Sequence, residues 1–277
     1  MRIFILSAFL ITKSVLVIAQ NQETKINNDS INTLMPVIIK AKLQSPERMP
    51  EIKENVLFSG KKNEVLRLSN INANLASNNP REIFARIPGV TIWENEGSGI
   101  QINIGVRGLS PNRSWELNTR QNGYDISSDV FGYPEAYYSP PLEAVETLEL
   151  VRGGASLQFG PQFGGMLNYV LKREKEKKFT FETQNTVGAY NLLSSFNAIG
   201  GKLKNFSYYI YNHSRSGNGW RENNKYTIRN THAFVAYNFS EKTKISAEYT
   251  NSDYAIDRKS TRLNSSHRNT SRMPSSA

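Results

Sequence analysis

Acids stand close together at Glu94/Glu96 and at Glu143/Glu146/Glu149 of this 277-residue chain, among other places, and two of its three histidines stand at 213 and 232. Paired carboxylates can serve as general acid and base, and an imidazole beside acids can hold a transition metal. Nothing around these residues completes either chemistry. No acid stands at ligand spacing from His213 or His232, so each reads as part of a strand face, and no metal site is expected. The glutamates read as solvated faces or as partners between packed elements. The absence of cysteine excludes thiolate metal sites, cysteine nucleophiles and a disulfide scaffold. The stretch GGASLQFG lacks the lysine and following hydroxyl of a phosphate loop. No catalytic residue is assigned, and an enzyme is not expected.

The elements around these residues begin with RGGASLQFGPQFGGMLNYV, residues 152–170, where five glycines sit between apolar runs. Glycine accepts positive φ and close backbone approach, so this stretch predicts tight reversals beside strands. Upstream, NNPREIFARIPGV predicts a short helix. Asn79 caps it, Pro80 takes its first position, and Glu82 stands where a capping box wants it. Ile83, Phe84 and Ile87 share one face, and Pro88-Gly89 ends it. VTIWEN follows, then IQINIGVRGL, where Ile100, Ile102, Ile104 and Val106 alternate at strand period. Asn122-Gly123 predicts a tight turn between extended runs, and EAVETLELVRGG a strand with Leu148 and Leu150 inward. Residues 60–172 thus read as a compact α+β domain.

From Phe179 onward five longer alternating segments follow, FTFETQNTVGAYN, LLSSFNAIGGKL, NFSYYIYNHS, KYTIRNTHAFVAYNFS and TKISAEYTNSDY. Each has the length of a tilted membrane strand, about 9–11 residues or more. In the fourth, Ala233, Val235, Tyr237 and Phe239 oppose Asn230, His232, Ala236 and Asn238. In the fifth, Ile245, Ala247 and Tyr249 oppose Lys244, Ser246 and Glu248. Short turns (KLKN, SEK) alternate with a longer loop (SRSGNGWRENN), as on the two sides of an outer-membrane barrel. A soluble β-sandwich also alternates and stays open on this ground alone.

The run IPGV, NIGVRGL, a hairpin and VETLELVRGGASLQFGPQFGGMLNYV resembles the plug domain of TonB-dependent outer-membrane receptors, most closely the ferric-citrate branch, over residues 80–172. It departs in GVRGL, where isoleucine usually precedes the arginine, and in the polar loop SSDVFGYPEAYYSPP. The resemblance implies an α+β plug domain (56–172), then about five strands (173–256) opening an antiparallel transmembrane β-barrel of 22 strands in the intact family. Five strands cannot close a barrel, because their edges would leave unpaired backbone groups in lipid.

The same likeness implies an outer-membrane receptor, here a monomer, importing ferric citrate or another ferric siderophore. No resident cofactor is implied, since iron travels inside the chelate. Guanidinium and amide donors suit such carboxylates. The outward plug loops then nominate Asn112, Arg113, Gln158 and Gln162 as ligand contacts, with a plug–barrel salt bridge as the other reading of Arg113. Arg107 and Arg152 are nominated as plug–barrel contacts. Within the polar segment 20–55, residues 34–42 carry an extended apolar patch, Met35, Pro36, Val37, Ile38 and Ile39. By the resemblance it is the TonB box, captured by the energising partner through strand addition; an edge strand of the plug is the alternative. Cobalamin, a saccharide or a peptide on the same scaffold, and a secreted adhesive β-protein, remain rival functions.

Residues 1–19 have a charged start, an apolar run and Ala19 before Gln20, the pattern of a cleaved export signal. Residues 257–277 are polar, basic and aperiodic, and read as the in-frame translation of a sequencing adapter. The natural sequence is then expected to depart from this one near Ile256. Without that tail, which carries +4, and the leader, which carries +2, the formal charge of +10 falls to +4. Nucleic acid is therefore not an expected partner.

Overall fold

A computed structural model describes residues 46–53, 56–58, 63–94, 97–100, 102–127, 137–174, 176–220, 223–240 and 243–256. The expected export signal, the Met35–Ile39 segment, most of the polar loop at 128–136 and the 257–277 tail lie outside the described residues.

The short helix α1 spans Pro80–Phe84, and the Asn79 side chain accepts the Arg81 amide at 2.8 Å. Pro80 sits where its missing N–H costs no bond. Glu82 does not close a capping box. Its carboxylate takes the Asn74 amide at 2.8 Å instead, binding the helix to the 3-10 turn Leu75–Ser77. Ile83, Phe84 and Ile87 are buried, as their spacing requires.

The strands before residue 172 are short. They are β1 (Glu47–Arg48), β2 (Ile52–Lys53), β3 (Val56–Leu57), β4 (Glu64–Arg67), β5 (Val90–Trp93), β6 (Asn103–Val106), β7 (Leu117–Gln121), β8 (Tyr124–Asp125), β9 (Val145–Val151) and β10 (Gly165–Leu171). Six form one sheet in the order β1-β4-β9-β10-β7-β8, with β7 and β10 parallel and the other pairs antiparallel. The sheet thus takes in Glu47–Arg48, ahead of residue 56. β5 pairs with β6, and β2 with β3. Asn122 (φ 49°) and Gly123 (φ 92°) make the expected tight turn between β7 and β8.

Both faces of this sheet are covered. Leu66, Leu148, Leu150, Leu167 and Tyr169 join the main core with α1 and β6, while Val151 and Met166 pack on the other side against Met49 and Phe58. Glu149, expected on a solvated face or as a partner, is buried, and it takes the Lys53 ammonium and the Asn168 amide (2.9 Å). Within the glycine-rich stretch 152–170, Gly165 has φ 119°, and a Cβ there would strike the Val151 carbonyl. Only glycine fits that approach.

Five long strands follow as an antiparallel meander: β11 (Thr180–Gly188), β12 (Leu192–Leu203), β13 (Phe206–Gly217), β14 (Tyr226–Asn238) and β15 (Lys244–Ile256). Their alternation separates two faces. Phe196, Tyr209, Tyr211, His232, Phe234 and Ala236 are buried on the face toward the short-strand domain. Val187, Leu193, Ile210, Val235, Tyr237 and Tyr249 are exposed on the other. At one end of this wall the Asn218 amide donates to the Tyr190 carbonyl at 2.8 Å, joining the ends of β11 and β13.

Candidate functional site

At that end a cleft of about 250 Å³ opens between the two domains. The short-strand domain contributes Asn78, Asn79 and Glu94, and the wall contributes Tyr190, Trp220 and Tyr226. Asn78 (φ 50°) donates its side-chain amide to the Gly99 carbonyl at 2.8 Å. Gly99, at φ 65°, leaves no room for a Cβ against the Asn78 carbonyl, so the two backbones lie in contact. Glu94 is held by the Arg81 guanidinium at 3.0 Å. Tyr190 sits at a left-handed turn position and is 62% exposed, and Trp220 is 54% exposed. Amides, hydroxyls, ring faces and one carboxylate make this a place for non-covalent capture.

The domains are joined lower down by Glu248 of β15. Its carboxylate accepts hydrogen bonds from the Gln121 amide (3.1 Å), the Asn122 amide (2.8 Å) and the Tyr124 hydroxyl. Arg173 stands 3.8 Å away and lies over the Phe234 ring at 4.1 Å. The Tyr138 hydroxyl donates to Gln121 at 2.9 Å, extending the network. Burial first, and then the Glu248 carboxylate, push the Tyr124 hydroxyl above its ordinary range. Nearby, Lys172 pairs with Glu182 at 2.7 Å.

Glu143 is also buried, and burial raises its carboxyl against the opposing pull of Arg215 and Lys172. It therefore belongs to the interface with the wall and not to a solvated face. His213 and His232 are buried on the inner wall face, His232 2.9 Å from the Thr250 hydroxyl. Among the described residues no three acids and histidines gather as a metal site requires.

None of the four nominated ligand contacts lines the cleft. Gln158 is tied to the main chain of Leu57, donating at 2.6 Å and accepting at 3.4 Å. Gln162 is buried, and its carbonyl oxygen has no hydrogen-bond partner among the described residues. Asn112 and Arg113 are exposed in a turn ahead of β7, with Arg113 at φ 54° and its amide donating to Asn103 at 2.8 Å. The Gly164 amide donates to the Glu116 carbonyl at 2.7 Å, so the two loops meet through their backbones. Arg152 binds Glu64 (2.7 Å) and the Pro88 carbonyl (3.1 Å), within the short-strand domain and not against the wall. Arg107 is exposed at φ 59°. The cleft's own residues were signalled only weakly, by the polar glycine loop NEGSG between two strands and by aromatics at strand ends.

The TonB-dependent Receptor Plug Domain model matches residues 61–166. Over 101 residues the chain is 30% identical to the Iron-regulated outer membrane virulence protein of Vibrio cholerae, covering 33% of this chain and 14% of that protein. Among solved structures, the Copper transporter OprC superposes with a TM-score of 0.57 at 13% identity, over 76% of this chain and 32% of that one. The siderophore receptor PirA from Pseudomonas aeruginosa gives 0.52 at 18% identity, over 72% and 35%. The chain thus spans about a seventh of its curated relative and a third of these structures. Coverage this broad reaches past the plug match into the long strands, and at such identities it speaks for the fold. Residues 61–166 thus match the TonB-dependent receptor plug domain, and five antiparallel strands follow them in a fold shared with these structures.

Proposed function

We propose that this chain supplies the plug and leading wall strands of an outer-membrane receptor that imports a ferric chelate, ferric citrate or another ferric siderophore. One observation carries the reading: a plug sheet is hydrogen-bonded to the inner face of a strand wall whose outer face exposes Leu193, Ile210, Val235, Tyr237 and Tyr249. Such exposed apolar side chains suit contact with outer-membrane lipid, and the loop-end cleft then faces outward. The names of the matched proteins, an iron-regulated outer-membrane protein and a siderophore receptor, point the same way. The chain is a receptor segment and not an enzyme. The iron stays within the chelate's own donors, so no resident cofactor is needed. A monomer would draw on a TonB-type coupling protein through Met35, Pro36, Val37, Ile38 and Ile39, and nucleic acid has no part in it.

The test uses the complete receptor in cells lacking other iron receptors. Radiolabelled ferric chelates should enter, and deleting residues 34–42 should abolish entry while surface binding persists. Uptake unchanged by that deletion contradicts energy coupling. Entry of copper salts, cobalamin, a saccharide or a peptide in place of iron moves the receptor to that cargo, and recovery of the protein from the medium moves it to an adhesive role.

A further inference from the structure

We propose that the loop-end half of the wall's outward face docks the saccharide headgroup of a glycolipid in the cell-surface leaflet; this rests on the outer-membrane reading above. Strand register divides that face into two zones. Phe181, Ile199, Ile210, Ala233 and Tyr249 stand side by side across β11 to β15 and form the last of the apolar levels from the turn end. Two residues further toward the loop end the level reads Thr183, Asn197, Asn212, Thr231 and Asn251. The next reads Asn185, Ser195, Ser214, Arg229 and Asp253. Amides, hydroxyls and charges of this kind are costly in hydrocarbon, the arginine and aspartate most of all. The acyl chains therefore end near the Thr231 level.

The polar levels are ordered for recognition. The Thr183 hydroxyl donates to the Asn197 side chain at 2.8 Å, and the Asn197 amide donates to Ser195 at 3.0 Å. The Asn212 amide donates to Thr231 at 3.0 Å, and the Asn251 amide to Asp253 at 3.0 Å. These ties orient the amides, and each asparagine keeps further donor and acceptor capacity for a partner rich in hydroxyls. Beside them a groove of about 370 Å³ is lined by Asn185, Val187, Leu193, Ser195, Ser214 and Ser216. Val187 is 81% exposed there. Hydroxyls around an apolar floor suit a sugar ring, which carries hydroxyls at its edge and C–H groups on its faces. A phospholipid headgroup layer is only about 5–8 Å deep. The rise from Thr231 to Thr227 at a strand tilt near 40° is about 10 Å, which a saccharide covers.

The test titrates the full-length protein, purified in detergent, with lipopolysaccharide bearing its core sugars, with the same glycolipid stripped to its lipid anchor, and with phosphatidylglycerol. Core sugars should tighten binding at least about tenfold. Asn197→Ala combined with Asn212→Ala should cut that advantage about fivefold, and Ser214→Trp, which fills the groove, should remove most of it. In glycolipid bilayers, core sugars should slow spin labels at 229 and 231 but not at 233 and 235. Equal binding of the two glycolipids, or an advantage untouched by both variants, overturns the proposal while leaving import standing. So does oxygen relaxation at 229 and 231 equal to that at 233 and 235. Shielding of 229 and 231 that follows dimerisation and needs no sugar gives the face to a second copy instead. Failure to enter any bilayer overturns the outer-membrane reading as well.

Discussion

The plug and the wall are both built of β-strands, yet they meet water in opposite ways. Plug strands run two to seven residues, and those of the sheet's centre are covered on both faces, with β7 and β10 even paired in parallel. Wall strands run nine to thirteen residues, pair only with sequence neighbours and bury one face. The plug must therefore satisfy charges inside itself, as Glu149 does with Lys53 and Asn168. The wall leaves Ile210, Val235 and Tyr249 exposed, a pattern that costs solubility in water and stability nowhere else. Sheets of similar composition are thus told apart by strand length and by whether one face or two are covered.

The sharpest way to break the contrast is to empty its buried side. Phe84→Ala should destabilise the plug by about 3–5 kcal/mol in chemical unfolding, since the ring is fully enclosed in the main core. On the wall, Ile210→Arg should cost about 2–4 kcal/mol of insertion if its exposed face meets lipid near midplane. A cost near zero in a bilayer assay would return the wall to the soluble sandwich. At the seam between the regions, Glu248→Ala removes a charged acceptor from Gln121, Asn122 and Tyr124, and should cost about 1.5–3 kcal/mol. Faster protease cutting of the plug in the full-length protein reads that loss. Asn79→Ala should cost about 1 kcal/mol by uncapping α1, without touching the wall.

The smallest effect is in pH. Burial holds the Glu143 carboxyl above its unfolded value, so the folded state binds this proton more tightly. Its contribution is fully present below the unfolded pKa and is lost as pH rises through the raised folded one. The melting temperature of the unaltered protein, relative to Glu143→Gln, should therefore fall as pH climbs from acid toward neutral. A flat difference across that range would mean that Arg215 and Lys172 offset the burial.

Local signals were strong where local chemistry decides. Asn79-Pro80, Asn122-Gly123 and the alternation in β14 each name a conformation with few competitors. Pairing across long distances was not legible. Glu248 is one of several polar residues on its strand, and nothing in sequence says that a turn 126 residues earlier docks on it. Arg152 could pair with any acid the fold brought near, and it was Glu64, on the neighbouring strand β4, not the wall. Glu82 likewise chose the Asn74 amide over its own cap because a neighbouring turn left that donor open. The cleft combines two turns of the plug with two ends of the wall, so none of its parts looks like a site alone.

Because the chain has no cysteine, single cysteines can be placed in turn from Thr231 to Tyr237 of β14 in the full-length protein and spin-labelled in a bilayer. Positions 233, 235 and 237 should be relaxed by lipid-soluble oxygen, while 232, 234 and 236 stay shielded against the plug. Uniform access to a water-soluble relaxant, with no period of two, would contradict a wall that holds the plug on one side and lipid on the other.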